Sequence, residues 1–328
     1  MDELPRARAQ GRSQVSRAKK SQILEDFVPT ARIAELEPPN EGELLIVVGP
    51  TASGKTELAI RLAERWGGEV ISADSVQIYR GFDLGSGKPT HAERARAPHH
   101  LIDAFDPLDP IDAGRYRQLA EAALADVRAR GKLPIVCGGT YLWVKALVEG
   151  LAEAAPADER VRARHREIAE REGRAKIHAM LAEVDPVAAA RLAPNDLVRT
   201  SRALEVYELS GRPISAWHAE HAASAPKHQA RLVGLAHPRE ALDARIAERT
   251  RRWLEAGFID EVRGLVERGH GEARAMGSVG YKQVHVHLAG ELPASELEPA
   301  IVRATRTYVR RQRTWLRDEP VTWLYPEH

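Results

Sequence analysis

The chain has 328 residues, of which 43% are hydrophobic and 29% charged, so it can bury a sizeable core. Its 48 basic and 47 acidic residues nearly cancel, so any basic surface must come from local arrangement rather than from net charge. The single cysteine, Cys137, excludes an internal disulfide and a multi-cysteine zinc site.

The first 40 residues are polar, rich in Arg and Lys, and without sustained periodicity. This pattern predicts a disordered basic tail, which is either a solvated segment or an arm that contacts nucleic acid. No apolar run approaches the roughly 20 residues that a membrane helix needs. The N-terminus also lacks the apolar region of a secretory signal. We therefore expect a cytoplasmic monomer without a membrane partner.

An alternation of apolar strands and helices begins at Glu43. Residues 44–48 form a short continuous apolar run, which is typical of a strand covered on both faces. Further strands are predicted at 69–73 and 133–137, and helices at 55–66, about 115–130, and 141–149. This alternation predicts an α/β fold with a parallel sheet flanked by helices.

The second half of the chain changes character. Residues 153–196 are rich in Ala, Arg and Glu and carry no strand pattern, which predicts a helical insertion. A further helix is predicted at 197–220 and a returning core strand at 232–235, and the rest is helical apart from a glycine-rich turn at 277–280. We therefore divide the chain into a tail (1–40), a first core part (41–152), the insertion (153–196) and a second core part (197–328) that ends in a basic helix.

A phosphate-binding motif lies between the first predicted strand and helix. It matches G-x-x-x-x-G-K-[ST] and comprises Gly49, Pro50, Thr51, Ala52, Ser53, Gly54, Lys55 and Thr56. Backbone N–H groups and the helix N-terminus of such a P-loop wrap an oligophosphate. Lys55 would place a cation on its outer oxygens, and Thr56 could hold Mg²⁺. The motif does not say what the phosphates are attached to.

Two polar side chains follow the other predicted strands. Asp74 comes directly after 69–73, and Thr140 follows 133–137 and two glycines. Ligands gather at the carboxyl ends of parallel strands, so we expect both residues to share one rim with the P-loop. Asp74 could bind Mg²⁺, act as a general base, or cap the next helix. Thr140 could contact a ligand or cap the helix that begins at Tyr141.

A row of five arginines marks the last predicted helix. They are three or four residues apart and therefore share an arc of roughly 80° on one face; they are Arg303, Arg306, Arg310, Arg313 and Arg317. Few acidic residues lie among them, so the row suits phosphodiesters, although a solvated or salt-bridged face is the alternative. The insertion also carries arginines, but its interleaved glutamates favour ion pairs within a helix.

The motifs in their order resemble the tRNA dimethylallyltransferase family. The P-loop alone is shared by many proteins, whereas the ensemble between about residues 43 and 325 is highly specific. The resembling segments are 49–56, 71–80, 85–89, 99–103, 138–142, 195–199, 202–206, 279–282 and 311–317.

The resemblance implies a reaction and its substrates. The P-loop, Mg²⁺ and Arg199 would hold the diphosphate of dimethylallyl diphosphate, with Lys55 in a catalytic role. The acceptor would be N6 of an adenosine adjacent to the anticodon of a tRNA, flipped into a channel. Asp74 would be the general base with Thr140 beside it. The insertion would grip the anticodon stem-loop.

The residues expected to bind tRNA come from the resemblance and from the arginine row. They are Asp74, Ser75, Val76 and Gln77; Arg162; Val198, Arg199, Thr200, Ser201 and Arg202; Gly277, Ser278, Val279, Gly280, Tyr281 and Lys282; and Arg303, Arg306, Arg310, Arg313 and Arg317. Gln77 could read an adenine edge through its amide. The chain departs from the family at Gly277-Ser278, where many members have bulkier or basic residues. No Cys/His finger follows the core, which resembles bacterial members.

Two other classes of protein share parts of this pattern. A P-loop small-molecule kinase has the same loop and a strand-end Asp, but the long insertion and the arginine row argue against it. A nucleic-acid-binding NTPase would need an apolar strand with an acidic end. The run Ile135–Cys137 ends instead in Gly-Gly-Thr.

Overall fold

The computed structural model describes residues 31–326, which divide into two compact units. The first unit combines the chain up to Val148 with the chain from His228 onwards, and the second spans Glu149–Lys227. Residues 1–30, which make up most of the predicted basic tail, lie outside the described residues.

The first unit is built on a parallel sheet. Within the described residues its strands are β1 (Ala31–Arg32), β2 (Leu44–Val48), β3 (Gly68–Ser72), β4 (His99–His100), β5 (Leu133–Cys137), β6 (Ala230–Leu235) and β7 (Val321–Tyr325). They lie in the order β1-β7-β6-β2-β5-β3-β4, and every pair is parallel. All five residues of β2 are buried, as its continuous apolar run predicts. The predicted α/β fold is confirmed.

Helices make up most of the remaining described chain. They are α1 (Lys55–Trp66), α2 (His91–Arg96), α3 (Ala113–Ala129), α4 (Tyr141–Val148), α5 (Glu159–Glu172), α6 (Arg174–Val184), α7 (Pro186–Ala189), α8 (Leu197–Ser210), α9 (Ile214–Ala222), α10 (Arg239–Glu255), α11 (Phe258–Glu267), α12 (Tyr281–Leu288) and α13 (Ala294–Leu316). Short 3₁₀ turns lie at Ile33–Glu35 and Arg274–Gly277. No helix among residues 31–326 is long and apolar enough to span a membrane.

The second unit is larger than the predicted insertion. Its own core contains Ile177 and Leu181 of α6 together with Ala203 and Leu204 of α8. The helix predicted at 197–220 is two helices, because Gly211 adopts a left-handed φ of 68° and ends α8. The predicted start of the second core part at residue 197 is therefore too early, since α8 and α9 belong to the second unit and the first unit resumes at His228.

The predicted disorder of residues 1–40 is wrong at the C-terminal end of that segment. Strand β1 pairs with β7, and Ile33 and Leu36 are only 6% and 5% exposed. Arg65 of α1 donates hydrogen bonds to the carbonyl oxygens of Ile33 (3.0 Å) and Ala34 (3.2 Å). A strand of two residues shows no periodicity in the sequence. It can be recognised only through its pairing with β7, and the sequence pattern did not predict β7 either.

This docking separates two truncations. Deleting residues 1–30 should leave the free energy of unfolding and the activity close to those of the full chain. Deleting residues 1–40 removes β1 and two buried apolar side chains worth about 1.5–3 kcal/mol each, so the free energy of unfolding should fall by several kcal/mol. Urea denaturation of both variants provides the measurement. Equal stability of the two truncations would contradict the docking of residues 31–36.

Candidate active site

Three adjacent strands end at the same edge of the sheet. Val47 of β2 is paired with Cys137 of β5, and Cys137 is also paired with Ser72 of β3. The segments that follow these strands are the P-loop (residues 49–56), the turn 138–140 and Asp74. The register therefore confirms that these three segments meet at one rim, as the parallel pattern predicted.

The backbone of the P-loop is tightly turned. Gly49 (φ 150°), Ala52 (φ 65°) and Gly54 (φ 93°) all have positive φ, and a Cβ on Gly49 would lie 2.9 Å from the Ser53 hydroxyl oxygen. Ser53 is 1% exposed, yet its hydroxyl has no hydrogen-bond partner among the described residues. An orphaned buried hydroxyl at the N-terminus of a helix fits a bound oxyanion.

Two cations flank this loop, and the sequence motif predicted only one of them. Besides Lys55, Arg249 of α10 donates a hydrogen bond from Nη2 to the Thr51 hydroxyl (3.0 Å) and lies 4.4 Å over the Trp253 ring. The Nε of Arg249 is buried with no partner among the described residues. Burial and the neighbouring Arg245 cation lower the pKa of Arg249 to about 10. A bound anion would stabilise such a buried cation.

The ammonium of Lys55 is a second buried cation beside the P-loop. Burial lowers its pKa, and the Arg249 cation acts in the same direction, whereas Cys137 and the Asp74 carboxylate oppose the effect. An anion bound between Lys55 and Arg249 would favour the charged form of both side chains. The P-loop therefore fits an oligophosphate.

Helix α10 and the segment after β6 also contact carbonyl oxygens of the P-loop. The Arg245 guanidinium donates from Nε to the Ala52 carbonyl oxygen (2.8 Å), and His237 Nε2 lies 2.6 Å from the Ser53 carbonyl oxygen. The pattern at 232–235 predicted a core strand but not its place beside β2. That adjacency brings α10 to the P-loop. The sequence signal that could have indicated this contact is the pair Arg245 and Arg249, one helical turn apart on α10.

Asp74 is held by the turn that it begins. Its Oδ1 accepts hydrogen bonds from the backbone N–H groups of Val76 (2.9 Å) and Gln77 (3.3 Å). A turn rather than a helix follows, so the alternative of a helix cap is wrong. The second oxygen, Oδ2, makes no hydrogen bond to any residue in the described part of the chain. A half-buried carboxylate with one fixed and one available oxygen can accept a proton from a ligand.

Thr140 ties the Asp74 turn to the neighbouring strand end. Its hydroxyl accepts a hydrogen bond from the Ser75 N–H (3.0 Å) and lies 3.1 Å from the Ser75 hydroxyl. Its own N–H donates to the Ala73 carbonyl oxygen (3.2 Å). The Thr140 carbonyl oxygen accepts from Trp143 N (2.9 Å) at the start of α4, so the backbone begins the helix while the side chain positions the Asp74 turn.

An apolar cleft of about 210 Å³ opens beside the P-loop. Its walls come from the ends of β2 and β5, the start of α4 and the C-terminal half of α13. The aromatic members are Tyr308 and the pair Tyr141 and Trp315, whose ring centroids are 6.0 Å apart. Burial raises the pKa of Tyr308 to about 12, so this phenol stays neutral. A cleft of this kind suits an apolar group attached to a phosphate.

One residue at this edge offers an oxygen donor of the kind that Mg²⁺ takes. The described residues contain no group of three or more His, Cys, Asp or Glu side chains that could hold a metal. Mg²⁺ needs no such group, because it commonly takes one or two protein oxygens and completes its shell with phosphate oxygens and water. The half-buried Thr56 hydroxyl at the start of α1 is an oxygen donor of this kind.

Several residues expected to contact tRNA have their polar groups engaged inside the first unit. Gln77 donates from Nε2 to the carbonyl oxygens of Ser86 (3.2 Å) and Gly87 (3.1 Å). Tyr281 is fully buried and donates its hydroxyl to Glu261 (2.6 Å). Base reading by Gln77 and RNA contact by Tyr281 are therefore not supported in this conformation. At the neighbouring positions Gly277 and Lys282 are exposed, Ser278 and Val279 are half-buried, and Gly280 is buried.

The second unit presents part of its predicted tRNA segment to solvent. Val198 is 81% exposed, and the Arg199 side chain is 68% exposed and lies 3.3 Å from Asp196. Thr200 and Ser201 are buried, because their side chains face the core of the unit, so their predicted RNA contact is not supported. The predicted contact of Arg199 with a diphosphate remains a prediction.

Arg162 and Arg202 share one buried carboxylate in this unit. Glu205 is fully buried and accepts hydrogen bonds from Arg162 Nε (2.9 Å), Arg202 Nη1 (2.6 Å) and the Asp158 N–H (2.7 Å). Burial would raise the pKa of Glu205, but these hydrogen bonds keep it below its usual value. The two guanidinium groups are thus fixed in orientation with one excess positive charge.

The arginine row on α13 is less free of acidic partners than its sequence suggested. Arg303 lies 3.3 Å from Glu296, Arg306 3.3 Å from Asp243 of α10, and Arg317 3.3 Å from Asp318. Asp243 lies on another helix, so the helical pattern could not reveal it, whereas Glu296 lies two turns before Arg303 on the same helix and Asp318 directly follows Arg317. Arg310, in contrast, is exposed and donates to the Thr307 hydroxyl (3.0 Å). Burial lowers the pKa of Arg313.

Comparisons with known proteins identify the family of the chain. The IPP transferase family model matches residues 77–319, and the isopentenyl transferase model matches residues 42–104. A tRNA dimethylallyltransferase of Sorangium cellulosum (strain So ce56) is 69% identical over 289 residues, which cover 88% of this chain and 92% of that protein.

Solved structures are similar over most of the chain. The full-length tRNA isopentenylpyrophosphate transferase of Bacillus halodurans is 35% identical with a TM-score of 0.64, and the match covers 87% of this chain and 90% of that one. A eukaryotic dimethylallyltransferase, captured in crystallographic snapshots acting on tRNA, is 28% identical with a TM-score of 0.69. That match covers 84% of this chain and 69% of the eukaryotic one.

Proposed function

The chain belongs to the tRNA dimethylallyltransferase family, and from this we propose that it transfers a dimethylallyl group from dimethylallyl diphosphate to N6 of an adenosine adjacent to the anticodon of a tRNA. The observation that carries the proposal is the apolar cleft that opens against an oxyanion site. An allylic diphosphate has the matching parts, because a five-carbon apolar group is joined to two phosphates. Asp74 lies at the same edge of the sheet, where the acceptor amine would meet the allylic carbon.

The P-loop and two cations would hold the diphosphate as it leaves. Ser53, with its orphaned hydroxyl, and the N-terminus of α1 would donate hydrogen bonds to the phosphate oxygens. Lys55 and Arg249 would stabilise the negative charge that grows on the leaving group, and this charge is largest in the transition state. Thr56 would hold Mg²⁺, which would supply further charge neutralisation when bound.

Asp74 would act as the general base. The exocyclic amine of adenine is a poor nucleophile because its lone pair is delocalised into the ring, so removal of its proton during attack raises its reactivity. The turn fixes Oδ1 and leaves Oδ2 for the amine, while Thr140 holds the turn through Ser75. The target base must leave its stack to reach this rim.

The basic surfaces would bind the RNA. In the second unit, Arg162 and Arg202 are oriented by Glu205, and Val198 and Arg199 are exposed beside them on α8. We propose that this unit contacts the anticodon stem-loop. The exposed members of the row on α13 would bind phosphodiesters through charge.

Ligand-dependent thermal stability tests the donor. A ligand that binds only the folded state at 100 times its dissociation constant stabilises the protein by about 2.7 kcal/mol. Dimethylallyl diphosphate with Mg²⁺ should therefore raise the unfolding temperature clearly, and ATP should raise it far less. Stabilisation by ATP alone would favour a small-molecule kinase and contradict the proposal.

The arginine row should contribute to tRNA affinity unequally. Replacing one phosphate-contacting arginine by glutamine reduces the slope of log affinity against log salt by about 0.7–0.9. We expect this full change for Arg310→Gln. A smaller one is expected for Arg306→Gln, because Asp243 already partly neutralises that guanidinium. The measurement is tRNA titration at several salt concentrations.

Arg263→Gln on α11 is the matched control, because Arg263 is exposed and paired with Asp260 within its own helix. Its salt slope should equal that of the wild type. An unchanged slope and affinity in a folded Arg310→Gln variant would mean that the row is a solvated face.

A further inference from the structure

Gln312 of α13 joins the P-loop to the turn 138–140 beside the cleft. Its side-chain carbonyl accepts a hydrogen bond from the Thr51 N–H of the P-loop (2.8 Å), and its amide nitrogen donates to the Gly139 carbonyl oxygen (3.1 Å). The residue is 6% exposed and lines the cleft. A single amide therefore bridges the ends of β2 and β5.

We propose that Gln312 is a positioning residue that sets the distance between the bound diphosphate and the Asp74 carboxylate. This inference rests on the proposed transfer reaction. It adds a residue that need not touch the reacting atoms and acts through the two loops that hold them.

A continuous chain of contacts connects the two sides. On the donor side, the Thr51 hydroxyl accepts a hydrogen bond from Arg249, and the Thr51 N–H donates one to Gln312. On the acceptor side, Gly139 precedes Thr140, whose hydroxyl holds the turn of Asp74 through Ser75. Gln312 is thus hydrogen-bonded to both the P-loop and the turn 138–140.

The local geometry demands close packing and a neutral bridge. A Cβ on Gly139 would lie 2.6 Å from the Gln312 amide nitrogen and 3.6 Å from the Lys55 ammonium, so both groups crowd the same point of the turn. A glutamine amide offers both N–H donors and a carbonyl acceptor without charge. It therefore satisfies a backbone N–H and a backbone carbonyl without competing electrostatically with a diphosphate.

Gln312→Met tests the bridge, because methionine keeps the length of the side chain and loses both hydrogen bonds. The expected result is a single-turnover rate about 10- to 100-fold lower at saturating substrates, since a misplacement of about 1 Å can cost 10²-fold. The affinity for tRNA and the thermal stabilisation by dimethylallyl diphosphate should remain close to wild type. A merely structural role would not produce this separation of rate from binding.

Thr305→Val is the matched control. Thr305 lies on the same helix, is 4% exposed, and loses only a hydrogen bond to the Ile301 carbonyl oxygen. Its single-turnover rate should stay at the wild-type value. An equal loss of rate in this control would mean that the packing of α13 matters and that the bridge does not, which would overturn the proposal.

Gln312→Glu provides a second variant should the methionine variant fail to fold. A carboxylate can still accept from Thr51 but cannot donate to Gly139, so the rate at saturating donor should again fall. A wild-type rate in any folded Gln312 variant would overturn the proposal. If the wild-type protein itself transferred no prenyl group, the proposed function would fail instead, so the two failures are distinguishable.

Discussion

Replacing Asp74 by asparagine should lower the single-turnover rate of prenyl transfer by about 10²–10⁴-fold, the usual contribution of a positioned general base. Asparagine keeps the oxygen that accepts from the Val76 and Gln77 N–H groups, so the turn should survive. It cannot take the proton from the adenine amine. Both substrates should still bind with nearly wild-type affinity, and rapid-quench kinetics at saturating substrates is the measurement.

Asp106→Asn is the matched control for Asp74. The Asp106 carboxylate also accepts from a backbone N–H two residues on, that of Leu108 (3.0 Å), but it lies in an exposed loop. Its replacement should leave the rate unchanged. Full recovery of Asp74→Asn at high Mg²⁺ concentration would show that the carboxylate is a metal ligand and that its role as a base is wrong.

Replacing Lys55 by alanine should lower kcat/KM for dimethylallyl diphosphate by about 10²–10³-fold, the typical cost of removing one group that stabilises transition-state charge. Lys55 lies beside Arg249 and Asp74 at the mouth of the P-loop, where burial strengthens its interaction with an anion. The tRNA affinity should change little, because the loop touches the donor. Steady-state kinetics with varied donor and a separate tRNA titration give the two numbers.

Lys132→Ala is the corresponding control, because Lys132 is exposed and precedes β5 at the opposite edge of the sheet. Wild-type kcat/KM in Lys55→Ala would place the diphosphate elsewhere. A parallel loss of tRNA affinity would show that the variant had lost more than its donor site.

The sequence predicted the parts of the fold whose information is local. The strands at 44–48 and 133–137 appear with the predicted bounds, because continuous apolar runs need no partner to be recognised. Strand β1 was missed because it has only two residues and depends on its pairing with β7. Strand β7 was also missed, although it has five residues and pairs with β6 as well. The start of the second core part was also misjudged, since α8 has a helical pattern whichever core it packs against.

The sequence predicted only those residues of the candidate site that belong to a motif or follow a recognisable strand. The P-loop, Asp74 and Thr140 follow recognisable strands, so the rule for parallel sheets brings them together. Arg249 and Gln312 lie on helices far along the chain, and their contacts with Thr51 depend on the order of the strands. Tyr281 is the opposite case, because the family pattern predicts RNA contact at a position where the structure buries the side chain.

The most direct test of the central claim is a chemical one. The purified protein is incubated with dimethylallyl diphosphate, Mg²⁺ and tRNA that lacks base modifications, and the digested nucleosides are identified by mass spectrometry. We predict an adenosine adjacent to the anticodon that carries one five-carbon prenyl group on N6, formed together with diphosphate, and no such product from Asp74→Asn on the same time scale. Unmodified adenosine after incubation with a folded wild-type protein that binds both substrates would contradict the account.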